Sequence, residues 1–335
     1  MVVDDSLTAR SALVRTIEAR PDMEVVATAG SAEVALELLD GRQVHVILLD
    51  LEMPGMGGLK ALPQILAKAR GAQVCVVSTL TTAGAKATLA ALAMGAADTL
   101  AKPRSGAFTD AYREELVSKI VAIARVDRTH QQQWKPSPSA ISGRAPAIVA
   151  IGASTGGIHA LGRLLDKLSP SIELPILVTQ HLPSSFMSIF ARQLASMSGR
   201  KTRVAADGMT VEPGQILVAP GDGHLTLRRE DNRVVAEIAD YEVPSGCRPS
   251  VDPMLESVAS LYGARGMGII LSGMGRDGSL GARSLFDAGG ALLAQDEDSC
   301  AVFGMPRGIV EAGLAAAVGA PEELAAFIGE SVQAK

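Results

Sequence analysis

The chain has 335 residues, 47% of them hydrophobic, and a formal net charge of −5, so it is long enough for two domains that each bury a core. Its mixed charge has no basic stripe, which argues against a nucleic-acid partner. No apolar run approaches the ~20 residues of a membrane span and the N-terminus is acidic rather than a basic leader, so the expectation is a soluble, cytoplasmic protein with no membrane insertion. Aromatics make up 3%, which leaves aliphatic cores. Cys75, Cys247 and Cys300 are odd in number and widely spaced, giving neither a disulfide framework nor a metal cluster.

Strand and helix periods alternate from the start. Leu7 to Ala19 is amphipathic, Glu24 to Ala27 apolar, Ser31 to Leu39 amphipathic, and Val44 to Leu49 a continuous apolar run. A strand Val74 to Val77, a helix Ala83 to Met94, a strand Thr99 to Ala101 and a helix from Tyr112 to about Ala124 follow. This is a βα repeat on a parallel sheet. The stretch 124–146 is polar and rich in Pro and Ser and reads as a linker; it holds Trp134, the only Trp, as a possible anchor. A second alternating pattern occupies 147–332, with an excursion at Gln215 to Ala239 that turns at Asp231 and Asn232. The fold class is therefore α/β: an N-terminal (βα)5 domain and a C-terminal doubly wound, mostly parallel sheet with an appended β-hairpin.

Polar residues gather at the carboxyl ends of the first domain's strands. Asp4 and Asp5 follow the first, Asp50 ends the run Val44 to Leu49, Ser78 follows another, and Lys102 with Pro103 follows the last. Three carboxylates in one crevice repel one another unless a hard cation joins them, and Mg²⁺ suits such donors. Lys102 and Ser78 supply a positive charge and a hydroxyl for a phosphoryl oxygen. Read alone, Asp5 is an N-cap for the helix near Leu7.

The segments VVDDS, ILLDLEMPGMGGL, VVST and AKP, in that order and spacing, make residues 1–123 resemble the receiver domain of response regulators. The resemblance implies that Asp50 accepts phosphate from a histidine kinase, that Asp4, Asp5, Asp50 and the Glu52 backbone carbonyl hold Mg²⁺, and that Ser78 and Lys102 read the acyl phosphate. The chain departs from the pattern twice. Only Met1 to Val3 precede Asp4, so a clipped first strand is expected, and Thr99 stands where many receivers carry an aromatic switch residue.

In the second half, three residues each follow an apolar run: Ser154 after Ala147 to Ile151, His181 after Ile176 to Gln180, and Asp277 shortly after Gly268 to Ser272. Carboxyl ends of parallel strands share one edge, where distant side chains converge. GASTGG, residues 152–157, has the GxSxG spacing that presents a serine oxygen on a sharp strand-to-helix turn. By itself it reads equally as an anion-binding helix start. His45 and His130 lie outside this half, His159 sits on the following helix and His224 opens the hairpin, which leaves His181 as the base. Asp277 is the orienting acid, with Asp296, after Ala291 to Ala294, its best rival and Asp207, Asp222 and Asp252 behind.

The order Ser, His, Asp differs from that of α/β-hydrolases. With IGASTGG, QHLPSSF, APGDGHLTL, RPSVDPMLESVA, ILSGMGRDG and GMPRG it makes the whole chain resemble the chemotaxis protein-glutamate methylesterases. The resemblance implies phosphorylation-regulated hydrolysis of glutamate γ-methyl esters on methyl-accepting chemotaxis receptors, with glutamine deamidation as a second reaction. Ser154 is then the nucleophile, His181 the general base and acid, and Asp277 the orienter, while the backbone N–H groups of Thr155 and Met274 hold the oxyanion. Met274 as core packing is the competing reading. The partners implied are the receptors and a chemotaxis histidine kinase; the cofactor is Mg²⁺ for phosphorylation, with none for the ester reaction. Arg192, Arg248 and Arg307 are candidates to meet an acidic receptor surface. The competing classes are a hydrolase of another ester or protein and a non-enzymatic binding module, although no basic recognition helix is found.

Overall fold

The structure is a computed structural model that describes residues 1–79, 81–102, 108–124 and 145–333. Its packing divides the chain into two units, Met1–Val126 and Asp127–Lys335. His130, Trp134 and all but the ends of the expected linker lie outside the described residues, as does Pro103.

The first unit alternates β1 (Val2–Val3), α1 (Leu7–Glu18), β2 (Thr28–Ala29), α2 (Ala32–Leu38), β3 (Val46–Asp50), α3 (Gly58–Lys68), β4 (Gln73–Ser78), α4 (Thr82–Met94), β5 (Asp98–Ala101) and α5 (Asp110–Ala124). Every strand pair is parallel, in the order β2-β1-β3-β4-β5. Winding reverses between β1 and β3, so the crevice where such sheets bind ligands lies at the carboxyl ends of these two strands. β1 is two residues long yet lies inside the sheet, between β2 and β3. The strand expected at Glu24 to Ala27 forms instead at Thr28–Ala29, because β2 pairs only with β1 and has just the rungs Val2↔Thr28 and Val3↔Ala29. α3, with Pro63 inside it, is a helix whose bounds the sequence pattern leaves open.

The second unit contains β6 (Ile148–Ala153), α6 (Gly157–Lys167), β7 (Ile176–Gln180), α7 (Ser184–Ser198), β8 (Thr202–Val204), β9 (Ile216–Val218), β10 (His224–Glu230), β11 (Arg233–Ala239), α8 (Val251–Tyr262), β12 (Gly266–Ile270), α9 (Ser279–Asp287), β13 (Ala291–Gln295), α10 (Met305–Glu311), β14 (Ala317–Gly319) and α11 (Pro321–Gln333). Seven strands make one parallel sheet in the order β14-β13-β12-β6-β7-β9-β8. β6, β7, β12 and β13 are buried along their whole length. Strands covered on both faces read as unbroken apolar runs rather than alternating ones. The core is aliphatic, with Leu177, Leu217, Val251, Leu255, Ile270 and Leu285 at its centre.

β10 and β11 form a separate antiparallel hairpin whose turn puts Asp231 at φ +50°. The excursion at Gln215 to Ala239 is thus only partly hairpin: β9, three buried apolar residues in a row, joins the main sheet. β12 ends at Ile270 rather than Ser272 because the Ser272 backbone leaves the ladder. Its N–H donates to Gln295 Oε1 at 2.8 Å, and its carbonyl accepts from Ser154 N at 3.0 Å. The sheet reverses winding at β6, between β7 and β12. Among the described residues no helix is long and apolar enough to cross a membrane.

Candidate active site

Ser154, His181 and Asp277 follow β6, β7 and β12, the three strands at the switch point of the second sheet. Ala153 pairs with Gln180, and the His181 N–H donates to the Ala153 carbonyl at 3.1 Å, so Ser154 and His181 leave adjacent strands side by side. Ser154 is half-buried at the turn into α6. That turn needs Gly156: its φ is +77°, and a Cβ there would sit 2.5 Å from the Ala301 Cβ and 2.6 Å from Ser272 Oγ.

His181 Nε2 lies 2.8 Å from Asp277 Oδ2, joining groups 96 residues apart. Asp277 is almost wholly buried, and each carboxylate oxygen has two donors. Oδ1 accepts from Ser245 Oγ at 3.0 Å and Ser250 Oγ at 2.6 Å, and Oδ2 accepts from Val251 N at 2.7 Å as well as from the ring. Burial raises the carboxyl pKa, but the hydrogen bond and charge of His181, with Ser250 and Val251, outweigh it and hold Asp277 below the usual carboxylate range. Asp277 thus engages the ring through Nε2. Ser154 Oγ makes no hydrogen bond to the ring among the described residues.

The rival acids are engaged elsewhere. Asp296 accepts from Ser299 N at 2.8 Å, Asp207 from Ile238 N at 3.3 Å and Asp252 from Gly281 N at 2.8 Å, while Asp222 is exposed. His224 is buried: its Nδ1 accepts from Ser250 N at 3.0 Å, so its Nε2 carries the proton given to the Tyr241 carbonyl at 2.8 Å. It supports the loop that holds Asp277.

The peptides that carry the Thr155 and Met274 N–H groups are fixed in the same manner. The Ser154 carbonyl accepts from Gly157 N at 2.8 Å and Gln180 Nε2 at 2.9 Å. The Gly273 carbonyl accepts from Gly304 N at 3.1 Å and Met305 N at 2.9 Å. In a trans peptide the N–H points opposite to its carbonyl, so pinning each carbonyl aims the neighbouring N–H. A Cβ at Gly273 would lie 2.3 Å from Met305 Sδ and 2.9 Å from the Ser154 Cβ, which keeps that turn against the serine. The Met274 side chain is 40% exposed, so it is not core packing. Of the three candidate arginines, Arg248 pairs with Asp240 and Arg307 with Glu297, while Arg192 is exposed.

Burial alone would lower the His181 pKa. Hydrogen bonds and charge from Asp277 and Cys247 reverse that and raise it to about 9. Below that pH the ring is an imidazolium and cannot accept a proton. Any hydrolysis that uses it as base should rise about tenfold per pH unit toward a plateau near pH 9, read from kcat/KM against pH. The sign for stability is opposite. A raised folded-state pKa stabilises fully below the unfolded value of about 6.5, and that contribution fades as pH climbs through about 9.

In the first unit Asp4 and Asp50 are buried at the carboxyl ends of β1 and β3, and Asp5 is exposed beside them. Lys102 Nζ lies 2.5 Å from Asp50 Oδ2 and 3.3 Å from Asp4 Oδ2. Asp50 Oδ1 accepts from Glu52 N at 3.0 Å. Burial raises the Asp50 pKa against the pull of Lys102. Ser78 is buried, its carbonyl accepting from Lys102 N at 2.7 Å. Ser6, not Asp5, caps α1, its Oγ accepting from Ala9 N at 3.3 Å. Asp5 is thereby left to the crevice, where one oxygen from each of Asp4, Asp5 and Asp50 lies within 4.8 Å of the others. Asp4 Oδ2 is buried and its charge is met by the Lys102 ammonium at 3.3 Å.

Residues 149–328 match the CheB methylesterase family and residues 1–111 the response regulator receiver domain family. The chain is 37% identical over 360 aligned positions to a protein-glutamate methylesterase/protein-glutamine glutaminase of Azospirillum brasilense, covering 98% of this chain and 91% of that one. It is 43% identical to the like-named protein 4 of Anaeromyxobacter dehalogenans, covering 93% and 89% respectively. The crystal structure of the Thermotoga maritima CheB methylesterase catalytic domain superposes with a TM-score of 0.54 at 35% identity, over 56% of this chain and 99% of that domain. A serine turn, a carboxylate-held imidazole and an acidic crevice beside a lysine thus occur in a chain that belongs to the CheB methylesterase family and carries a response regulator receiver domain at its N-terminus.

Proposed function

We propose that the chain hydrolyses glutamate γ-methyl esters on methyl-accepting chemotaxis receptors, and deamidates glutamine side chains there, under the control of phosphorylation at Asp50. The observation that carries the reading is the His181–Asp277 pair at the switch point beside Ser154. Ser154 Oγ attacks the γ-carbonyl as His181 Nδ1 takes its proton, and the N–H groups of Thr155 and Met274 hold the tetrahedral oxyanion. Methoxide is too basic to leave unaided, so the imidazolium returns the proton and methanol departs. Water then repeats the steps on the acyl-enzyme and leaves glutamate; with a glutamine substrate the first leaving group is ammonia.

Residues 147–332 carry this chemistry, residues 1–123 the phosphoacceptor and 124–146 the connection between them. Asp50 accepts the phosphoryl group from a histidine kinase, and Ser78 and Lys102 then hold its oxygens. Asp4, Asp5, Asp50 and the Glu52 carbonyl would hold Mg²⁺, which offsets charge between carboxylates and phosphate when bound. The mutual approach of the three acids supports that assignment.

The test is methanol release from methylated receptor, with and without acetyl phosphate and Mg²⁺. Wild type should release methanol, and its rate should change when phosphodonor is added. Asp50→Asn should keep the basal rate and lose the response to acetyl phosphate. A response that survives in Asp50→Asn would remove Asp50 as the acceptor.

A further inference from the structure

One side chain beside the imidazole is assigned no step in acyl transfer. Cys247 is partly exposed, and its Sγ, a ring nitrogen of His181 and a carboxylate oxygen of Asp277 all lie within 4.8 Å of one another. The loop that carries it is tied to the carboxylate. The Cys247 N–H donates to Ser245 Oγ at 3.3 Å, and the same hydroxyl donates to Asp277 Oδ1 at 3.0 Å. Thiol and carboxylate are thus held in register by one serine. Spacing along the chain gives the cysteines no metal-binding pattern; the fold brings one of them to a histidine and an acid.

We propose that Cys247, His181 and Asp277 form an inhibitory site for a borderline-soft divalent cation of the zinc class. A thiolate sulfur, an imidazole nitrogen and a carboxylate oxygen are the donors such a cation takes, in tetrahedral geometry with about 2.3 Å to sulfur and about 2.0–2.1 Å to nitrogen and oxygen. These bond lengths separate the donors from one another by about 3.3–3.6 Å. The 2.8 Å contact between Nε2 and Oδ2 would open by about half an ångström, and the sulfur, within 4.8 Å of both partners, would close to that spacing. Asp277 can donate to a metal without leaving its loop, because Ser245, Ser250 and Val251 still hold it. A dipositive ion is neutralised by thiolate and carboxylate together, as a partly buried charge requires. The sulfur sets the selectivity: Mg²⁺, a hard cation, is left to the all-oxygen crevice of the first unit. A metal on the ring occupies nitrogen and carboxylate that proton transfer needs, so the site binds metal and hydrolyses ester in alternation.

The inference rests on the esterase reading for its effect on activity, but not for metal binding itself, so the two can fail separately. The full chain in metal-free buffer would be titrated with Co²⁺, whose bond to a thiolate gives a near-ultraviolet charge-transfer band. Cys75 and Cys300 are buried thiols whose pKa burial raises, which makes them poor competitors. The band should appear in wild type and vanish in Cys247→Ala and in the size-conserving Cys247→Ser, which guards against a folding defect in the first. With Zn²⁺ at ten times its dissociation constant, methanol release by wild type should fall about tenfold, recover on chelation, and show at least tenfold weaker sensitivity in either variant, each scaled to its own metal-free rate. A band that survives in both variants, no band in wild type, or equal zinc sensitivity in all three proteins would overturn the proposal.

Discussion

Ser154→Ala is expected to abolish methanol release, by a factor on the order of 10⁵, while leaving the protein as stable as wild type. The size of the loss follows from the role. Removing the nucleophile of a serine–imidazole–carboxylate unit costs nearly as much as removing the whole unit, because the remaining groups have nothing to activate. The stability half of the prediction follows from the half-buried position of Ser154 and from the absence of a hydrogen bond from its hydroxyl to the ring. Its carbonyl, which Gly157 and Gln180 hold, is untouched by the substitution. Denaturant midpoints should therefore agree within about 0.5 kcal/mol. Retained turnover would shift attention to Cys247, the other nucleophilic side chain near the imidazole.

Asp277→Ala is expected to lose both properties. Activity should fall by about 10⁴-fold, the scale set by losing the acid that fixes tautomer and orientation in such units. Here the acid also neutralises a raised-pKa imidazolium and accepts from Ser250 and Val251, which would be left as buried donors without an acceptor, and from the exposed Ser245, which water can satisfy. Removing one partner of a buried ion pair costs about 3–5 kcal/mol. Chemical denaturation of the variant should show a loss of that size, in contrast to Ser154→Ala. Equal stability of the two variants would mean that the donors find water or that the loop moves away.

Much of this site was legible in the sequence because parallel strands buried on both faces are continuous apolar runs, and their carboxyl ends mark where functional side chains lie. Ser154, His181, Asp4 and Asp50 are read in that way, and each lies at a strand end in the structure. What holds them was not legible. Ser245 and Ser250 sit in a loop without period, and nothing in their spacing says that two hydroxyls and the Val251 N–H close on one carboxylate. Gln180 does carry a signal, since it is a polar residue ending an otherwise apolar strand beside His181; its side chain is buried and spent on the Ser154 carbonyl. Strand limits failed where the pairing partner, rather than local propensity, decides them. β2 is set by the two-residue β1, and β12 stops short of Ser272, whose N–H goes to the Gln295 side chain.

The winding order of the second sheet also has a consequence for synthesis. β12 lies directly beside β6 although it is made long after it, so the pocket closes only when a late segment returns to the sheet's middle. On the ribosome the nascent enzyme should stay inert until Asp277 and the β12 strand have emerged from the exit tunnel. Unfinished chains would then spare receptor from untimely demethylation, with no inhibitor required.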